Sequence, residues 1–391
     1  MIKSSVIEYI KNHKESWNKL REEFHSTPEL PLREFETTKK IKEQLLKYGF
    51  EIIEFDGVGI IGVLKHGNSE NKIALKASID GILQKEETDL PYKSVNNSMH
   101  ANGNDGQIIM LLGACQYLSE TREFNGTFYA IFAPGSNIQN GINKLIDRGL
   151  FDKIDPQSIF SLKPAPLIQL KKGKVGDLHF INPKTSSSNF IDLFKYKIIG
   201  QSSFGSSPEN GYDPIVAASS IIMNLQTIVS RNISPFSNAA ITVGSIKGGY
   251  TANAIAKLVT IKLSVSSNDK ETREYILKRI ESVIDSTCKA YECNFEKVNI
   301  GSSTSLQNNG VEYEFAKDLA VDLFDEEKVH IIDNLMINDD ISFLLDKKPG
   351  TLVFINNGNS DDIYSSKFDF NNQAIPFGVC FFIGLVEKKL K

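Results

Sequence analysis

The stretch Gln107-Ile108-Ile109-Met110-Leu111-Leu112-Gly113-Ala114-Cys115-Gln116-Tyr117-Leu118 reads as a mostly apolar helix, and it lies between two β-rich runs, Lys72–Ala77 and Thr127–Ala133. Strands alternating with helices indicate an α/β layer. Upstream, the short β-rich runs Glu51–Phe55 and Gly59–Leu64 extend the sheet. Before them, Phe35, Ile41, Leu45 and Tyr48 recur at helical spacing, and Gly49 stands where a left-handed C-terminal cap is expected. From Met1 to Leu20, Lys3, Glu8, Lys11 and Lys14 interrupt the apolar positions. That reads as an amphipathic first helix rather than a signal peptide.

Between about Pro183 and Ile300 the pattern changes. Strand Phe190–Ile199, a helix, strands Ala239–Ile246 and Leu258–Val265, a second helix and a last strand near Asn294–Val298 give the β-α-β-β-α-β order of a ferredoxin-like unit. Asp213 as N-cap with Pro214 in the first turn starts its first helix. Asn268 followed by Glu271 marks the start of the second, where Ile276, Ile280 and Ile284 form an apolar stripe. The expected organisation is an α/β domain over residues 1–182 and 301–391, interrupted by an inserted domain over 183–300.

The 391 residues suffice for two or three domains. With 41% hydrophobic and 24% charged residues the composition is that of a folded globular protein. A formal charge of −4 argues against a dedicated nucleic-acid binder. Apolar runs such as Ile108–Leu112 are far below the ~18 residues of a bilayer span, so no membrane segment is expected and the cytoplasm is the expected compartment. Cys115, Cys288, Cys293 and Cys380 contain no C-x-x-C pair. They are read as reduced structural thiols.

Three segments carry a family resemblance. His25-Ser26-Thr27-Pro28-Glu29-Leu30 with Glu36-Thr37-Thr38, Lys85-Glu86-Glu87-Thr88-Asp89-Leu90-Pro91-Tyr92, and Met99-His100-Ala101-Asn102-Gly103-Asn104-Asp105-Gly106 resemble the H-x-x-P-E-L…E-x-T, Q-E-E-T-G-L-P-Y and M-H-A-C-G-H-D-G motifs of the metal-dependent N-acyl-amino-acid amidohydrolases. Asp213–Ala218, Gln226–Arg231 and Ser366–Phe370 extend the match in order. The resemblance implies a two-domain, mixed-sheet α/β metallopeptidase-like catalytic domain with an inserted lid or dimerisation domain. It also implies a metal-bound hydroxide attacking an amide carbonyl while a glutamate moves the proton.

The positions that would carry this chemistry have changed. Against the family pattern, Asn102 replaces a cysteine ligand, Asn104 a histidine ligand, Ser136 the general base and Asn137 a metal-binding carboxylate. Lys163 and Tyr364 stand where imidazole ligands are expected. A lysine ammonium about 4 Å from a divalent ion costs about 8 kcal/mol at an effective dielectric of 20, so no metal and no other cofactor is expected. In the inserted domain Phe204 takes the place of the histidine that serves the oxyanion, and Ser266 that of a carboxylate-clamping arginine, while Asn253 keeps a substrate-contact residue. Asp80 and Asp105 match carboxylates near the family's metals. Without metals they are expected to pair with Lys163 or to cap backbone amides. His25 and His100 are read as hydrogen-bonded structural histidines. Asp339-Asp340 is either the family's E-D-F element or a helix cap.

The resulting expectation is a catalytically degenerate, metal-free protein. It is expected either to bind a small acylated or peptide-like ligand or to partner an active relative, as a homodimer through the lid domain or a heterodimer with that relative. The rival expectation is an active hydrolase of N-acyl amino acids or dipeptides using Ser136, Lys163 and Tyr364.

Overall fold

Strand and helix positions in the computed structural model follow the apolar patterning closely; it describes residues 3–55, 59–138, 140–183, 190–267, 269–303, 306, 308–333 and 339–391. The strands are β1 (Glu51–Glu54), β2 (Ile60–His66), β3 (Lys72–Ser78), β4 (Gly126–Ala133), β5 (Ser158–Ala165), β6 (Leu178–Ile181), β7 (Phe190–Ile199), β8 (Ala239–Gly248), β9 (Leu258–Ser267), β10 (Asn294–Ser303), β11 (Val329–Ile332) and β12 (Gly350–Asn356). The helices are α1 (Ser4–His25), α2 (Phe35–Lys47), α3 (Asn104–Thr121), α4 (Gly141–Asp147), α5 (Leu150–Lys153), α6 (Leu167–Leu170), α7 (Pro214–Thr227), α8 (Lys270–Ala290), α9 (Gly310–Phe324), α10 (Ile341–Leu345) and α11 (Ile375–Lys389). Among the described residues no helix is long and apolar enough to cross a membrane. Two compact units result, Met1–Ser187 with Leu306–Lys391, and Ser188–Ser305.

The first unit is built on an eight-stranded mixed sheet of order β1-β2-β4-β3-β5-β12-β6-β11. Its centre, β4-β3-β5-β12, is parallel. These strands are buried on both faces, which is why they read as continuous apolar runs. Alternation splits them between two cores. Phe128, Ala130 and Phe132 of β4 join the core that holds α1, α3 and α11, whereas Tyr129, Ile131 and Ala133 join the core that holds α4 and α10. Helix α3 is enclosed between the sheet, α1 and α11. Each of its buried Ile and Leu side chains contributes roughly 1.5–3 kcal/mol. It opens at Gly103, whose φ of 76° is left-handed and suits glycine. A Cβ on Gly106 would stand 2.4 Å from the Phe370 ring, so the last loop of the chain closes directly onto the helix start.

The second unit is a four-stranded antiparallel sheet, β10-β7-β9-β8, with α7 and α8 on one face. Asp213 caps α7 by accepting the Ile215 N–H at 2.8 Å. Asn268 lies outside the described residues, and α8 is capped instead by Asp269, which accepts the Thr272 N–H at 2.7 Å. Ile276, Ile280 and Ile284 are buried as one stripe. All four cysteines are buried and unpaired.

Candidate functional site

In parallel sheets, ligand sites form where chain segments leave the carboxyl ends of the strands. Here Ser78 ends β3 and Asp80 follows it, Pro134–Asn137 follow β4, Lys163 lies near the end of β5, and Asn102–Asp105 enter α3. Four neutral groups converge on the buried Asp80 carboxylate. Ser136 Oγ donates to Oδ1 at 2.5 Å, and the Asn137 N–H and Nδ2 both donate to Oδ2 at 2.8 Å. Asn104 Nδ2 donates to Oδ1 at 3.1 Å and to the Asp80 carbonyl at 2.7 Å. A second layer holds the cage. Asn102 Nδ2 donates to Asn137 Oδ1 at 2.8 Å, and Gln107 Nε2 donates to Asn104 Oδ1 at 3.1 Å. Burial raises the Asp80 pKa, and the Ser136 and Asn137 bonds oppose that shift.

Lys163 does not serve Asp80 or Asp105. Of the two expected roles Asp80 takes the other, accepting the backbone N–H of Asn137, because Lys163 shares a face of the sheet with Lys76, one strand away, and that face meets the start of α10. Lys163 Nζ donates to Asp339 Oδ2 at 2.7 Å. Lys76 Nζ donates to Asp340 Oδ1 at 2.6 Å, Ser78 Oγ at 2.8 Å and Asp339 Oδ1 at 3.2 Å. Asp339-Asp340 is therefore chiefly the carboxyl half of a buried ion cluster, although Asp339 Oδ1 also accepts the Ile341 N–H at 3.0 Å; burial, with the Asp339 charge beside it, pushes the Asp340 pKa up to about 7 against the pull of Lys76. Burial works against the charge on Lys76 and Lys163, and the carboxylates outweigh it and keep both lysines protonated. Burial also works against the Asp339 charge, and the two ammonium groups hold its pKa well below the usual range.

Asp105 belongs to a third cluster. Arg21 Nη1 donates to Asp105 Oδ2 and Asp369 Oδ1, both at 2.9 Å, and His25 Nδ1 lies 2.8 Å from Asp105 Oδ2. The other His25 nitrogen meets Glu86 at 3.3 Å. Burial opposes the imidazolium, yet the bonds to Asp105 and Glu86 lift the His25 pKa to about 9. Burial likewise opposes charge on Asp105, and Arg21 and His25 overcome it. His100 behaves otherwise. Its enclosed ring lies against the Asp80 backbone, and burial pushes its pKa down to about 4, with the nearby Asp105 charge and the Asp80 backbone opposing that shift. It packs as a neutral ring.

Glu34, just before α2, reaches the same region. Its Oε1 accepts the Gly135 N–H at 2.7 Å. Burial, and then the Asp80 charge, push its pKa up to about 8. Arg21, Glu34 and Lys76 were not singled out from sequence. A lysine inside the apolar run Ile73-Ala74-Leu75-Lys76-Ala77, and Arg21 one helical turn before His25, were the available signals.

Tyr364 is half exposed and takes a left-handed φ of 68°. In the second unit, Phe204 pairs with Ala254 across an isolated bridge, and Gly205 N–H donates to the Asn253 carbonyl at 2.8 Å. Phe204 and Asn253 thus share one loop cluster. Ser266 sits at the far end of β9, opposite Ala240 and Ile191.

The donor set does not suit a divalent metal. Asp80 faces only neutral amides and a hydroxyl, whereas such ions call for several anionic or imidazole ligands. Among the described residues no three His, Cys, Asp or Glu side chains are arranged to hold one.

The family model of peptidase family M20/M25/M40 matches residues 74–388. The hippurate hydrolase of Campylobacter jejuni is 33% identical over 96% of this chain and 97% of its own length. The N-acetyl-L-cysteine deacetylase of Bacillus subtilis is 31% identical over 91% of this chain and 84% of its own. Among solved structures, the YXEP protein of Bacillus subtilis, a dinuclear metal binding peptidase, is 25% identical and superposes with a TM-score of 0.75, covering 97% of this chain and 99% of that one. The aminobenzoyl-glutamate utilization protein of Klebsiella pneumoniae gives a TM-score of 0.78 at 15% identity over 98% of each chain. On sequence over nearly its full length, as on fold, the chain belongs to peptidase family M20/M25/M40.

Proposed function

We propose that this chain is a catalytically degenerate, metal-free member of the family that binds a small acylated or peptide-like ligand in the cytoplasm. The carrying observation is the saturation of Asp80 by Ser136, Asn137 and Asn104. A carboxylate whose lone pairs are engaged by neutral protein donors has already exchanged water for hydrogen bonds, and rebuilding it as a ligand requires breaking the cage. Relatives named for hippurate and N-acetylcysteine support N-acyl amino acids as the ligand class.

The rival reading as a hydrolase through Ser136, Lys163 and Tyr364 gains no support. The Ser136 hydroxyl is engaged by Asp80 and Asn104. A nucleophile needs a base within hydrogen-bond reach, and neither Lys163 nor Tyr364 bonds to Ser136.

The partner under this reading is a second copy of the chain, or an active relative, docked on the lid unit. Strand β8 is an edge of its sheet. Phe236 and Tyr250 flank it fully exposed, and Ile215, Val216 and Met223 project from α7.

The test is elemental analysis of protein purified without chelator, and again after zinc or manganese supplementation, beside an N-acetyl-amino-acid hydrolysis assay on the same samples. Less than about a tenth of an equivalent of metal and no turnover is expected. Near-stoichiometric metal with turnover overturns the proposal.

A further inference from the structure

The face of the second unit's sheet that lies away from α7 and α8 carries a compact block of cations. Alternation fixes which residues form it. Phe194, Tyr196 and Ile198 of β7 and Val259, Ile261 and Leu263 of β9 enter the helix-side core. Lys195 and Lys197 of β7, and Thr260 and Lys262 of β9, therefore point the other way. Register then sets the rows. Lys197 stands opposite Thr260, and Thr260 opposite Lys247 of β8. In the next row Lys195 stands opposite Lys262, and Lys262 opposite Ser245. With strands about 4.8 Å apart, these six side chains fill a patch roughly 10 Å across and one pleat repeat, about 7 Å, along the strands.

Lysines placed directly opposite one another on one sheet face destabilise it. Compensation here is slight. Lys197 donates to Glu296 at the margin of the block, at 2.8 Å, and among the described residues no carboxylate lies within ion-pair distance of Lys195, Lys247 or Lys262. The unit places its acids elsewhere, with Glu281 and Asp285 on α8 holding Lys297 and Lys289. Lys247 and Lys262 are exposed, and Lys195 is partly so.

We propose that this face is a binding site for a small oligophosphate, that is, adjacent phosphate groups on one ligand. Three features favour phosphate. Lysine supplies point charges, which tolerate the many orientations of a phosphate chain, whereas planar carboxylates are typically held by arginine forks, and this block has none. Thr260 and Ser245 add hydroxyl donors between and beside the ammonium groups. The block also has no aromatic ring, which removes the stacking platform that a single-stranded nucleic acid would use on such a sheet.

The experiment is isothermal titration of the full-length protein with inorganic tripolyphosphate at low and moderate salt, accompanied by thermal unfolding. The wild type should bind, weaken at least several-fold on raising the salt, and gain thermal stability with ligand. The double variant K195Q/K262Q should lose at least tenfold in affinity while unfolding no earlier than the wild type in the absence of ligand, since relief of the opposed charges offsets any lost packing. The α8 variant K270Q/K278Q, which removes the same charge from the other face, should bind as the wild type does. Equal loss in both variants would reduce the effect to net charge and overturn the proposal. So would absence of binding, or preferential binding of a poly-glutamate peptide.

Discussion

Replacing Glu34 by glutamine should stabilise the protein strongly at neutral and alkaline pH. Glu34 is fully enclosed, its Oε1 accepts the Gly135 N–H, and its pKa is pushed from 4.5 up to about 8. A group whose folded pKa is raised contributes stability that is fully present below the unfolded pKa and is lost as pH rises through the folded one. The window therefore opens near pH 4.5 and closes near pH 8. At about 1.4 kcal/mol per unit, the wild type should lose about 3 kcal/mol by pH 7 and about 5 kcal/mol above pH 8 from this group alone. The glutamine side chain keeps an acceptor for the Gly135 N–H and cannot ionise. Urea unfolding of wild type and E34Q at intervals from pH 4.5 to 9 is the assay. The two should converge at the acid end and diverge steadily in favour of E34Q towards the alkaline end. Parallel curves would refute the reasoning, because they would mean that Glu34 is already ionised in the fold or reaches water.

His25 offers a second pH signature. With its pKa raised from 6.5 to about 9, it contributes about 3 kcal/mol that is present below pH 6.5 and fades through pH 9; H25Q should flatten that part of the curve, and an unchanged slope would contradict the ion cluster. Lys163→Ala leaves the buried Asp339 with Lys76 as its remaining lysine partner, and should cost about 3 kcal/mol in urea unfolding; unchanged stability would show that Lys163 does not neutralise that carboxylate. Gly106→Ala drives a methyl group into the Phe370 ring and should cost about 1–3 kcal/mol, which thermal melts would reveal and a neutral result would exclude. On the lid unit, M223E with F236D should turn a dimer into a monomer in size-exclusion chromatography with light scattering, whereas an unaltered elution mass would remove this face as the interface.

Much of this protein is decided by local sequence. Period-two and period-3.6 apolar patterns fix the strands and helices because each element has one face, or two, that must leave water. The run around α3 shows burial on all sides, and Asp213-Pro214 starts α7 as its chemistry requires. Ordered motifs from His25 to Phe370 also identify the family.

Which charge answers which is a different matter, settled by pairings between segments far apart in the chain. Asp80 and Asp105 are both buried carboxylates, yet one is caged by a hydroxyl and amides from α3 and the β4 loop and the other is claimed by Arg21 and His25 of α1. Lys163 meets Asp339 because parallel pairing of β3 and β5 sets it on the face that α10 covers. Burial, which depends on everything packed around a group, turns Glu34 into a weak acid and His100 into a neutral ring. Side-chain identity is written in the chain, but the distance between two charges and the water around them exist only once the fold has closed.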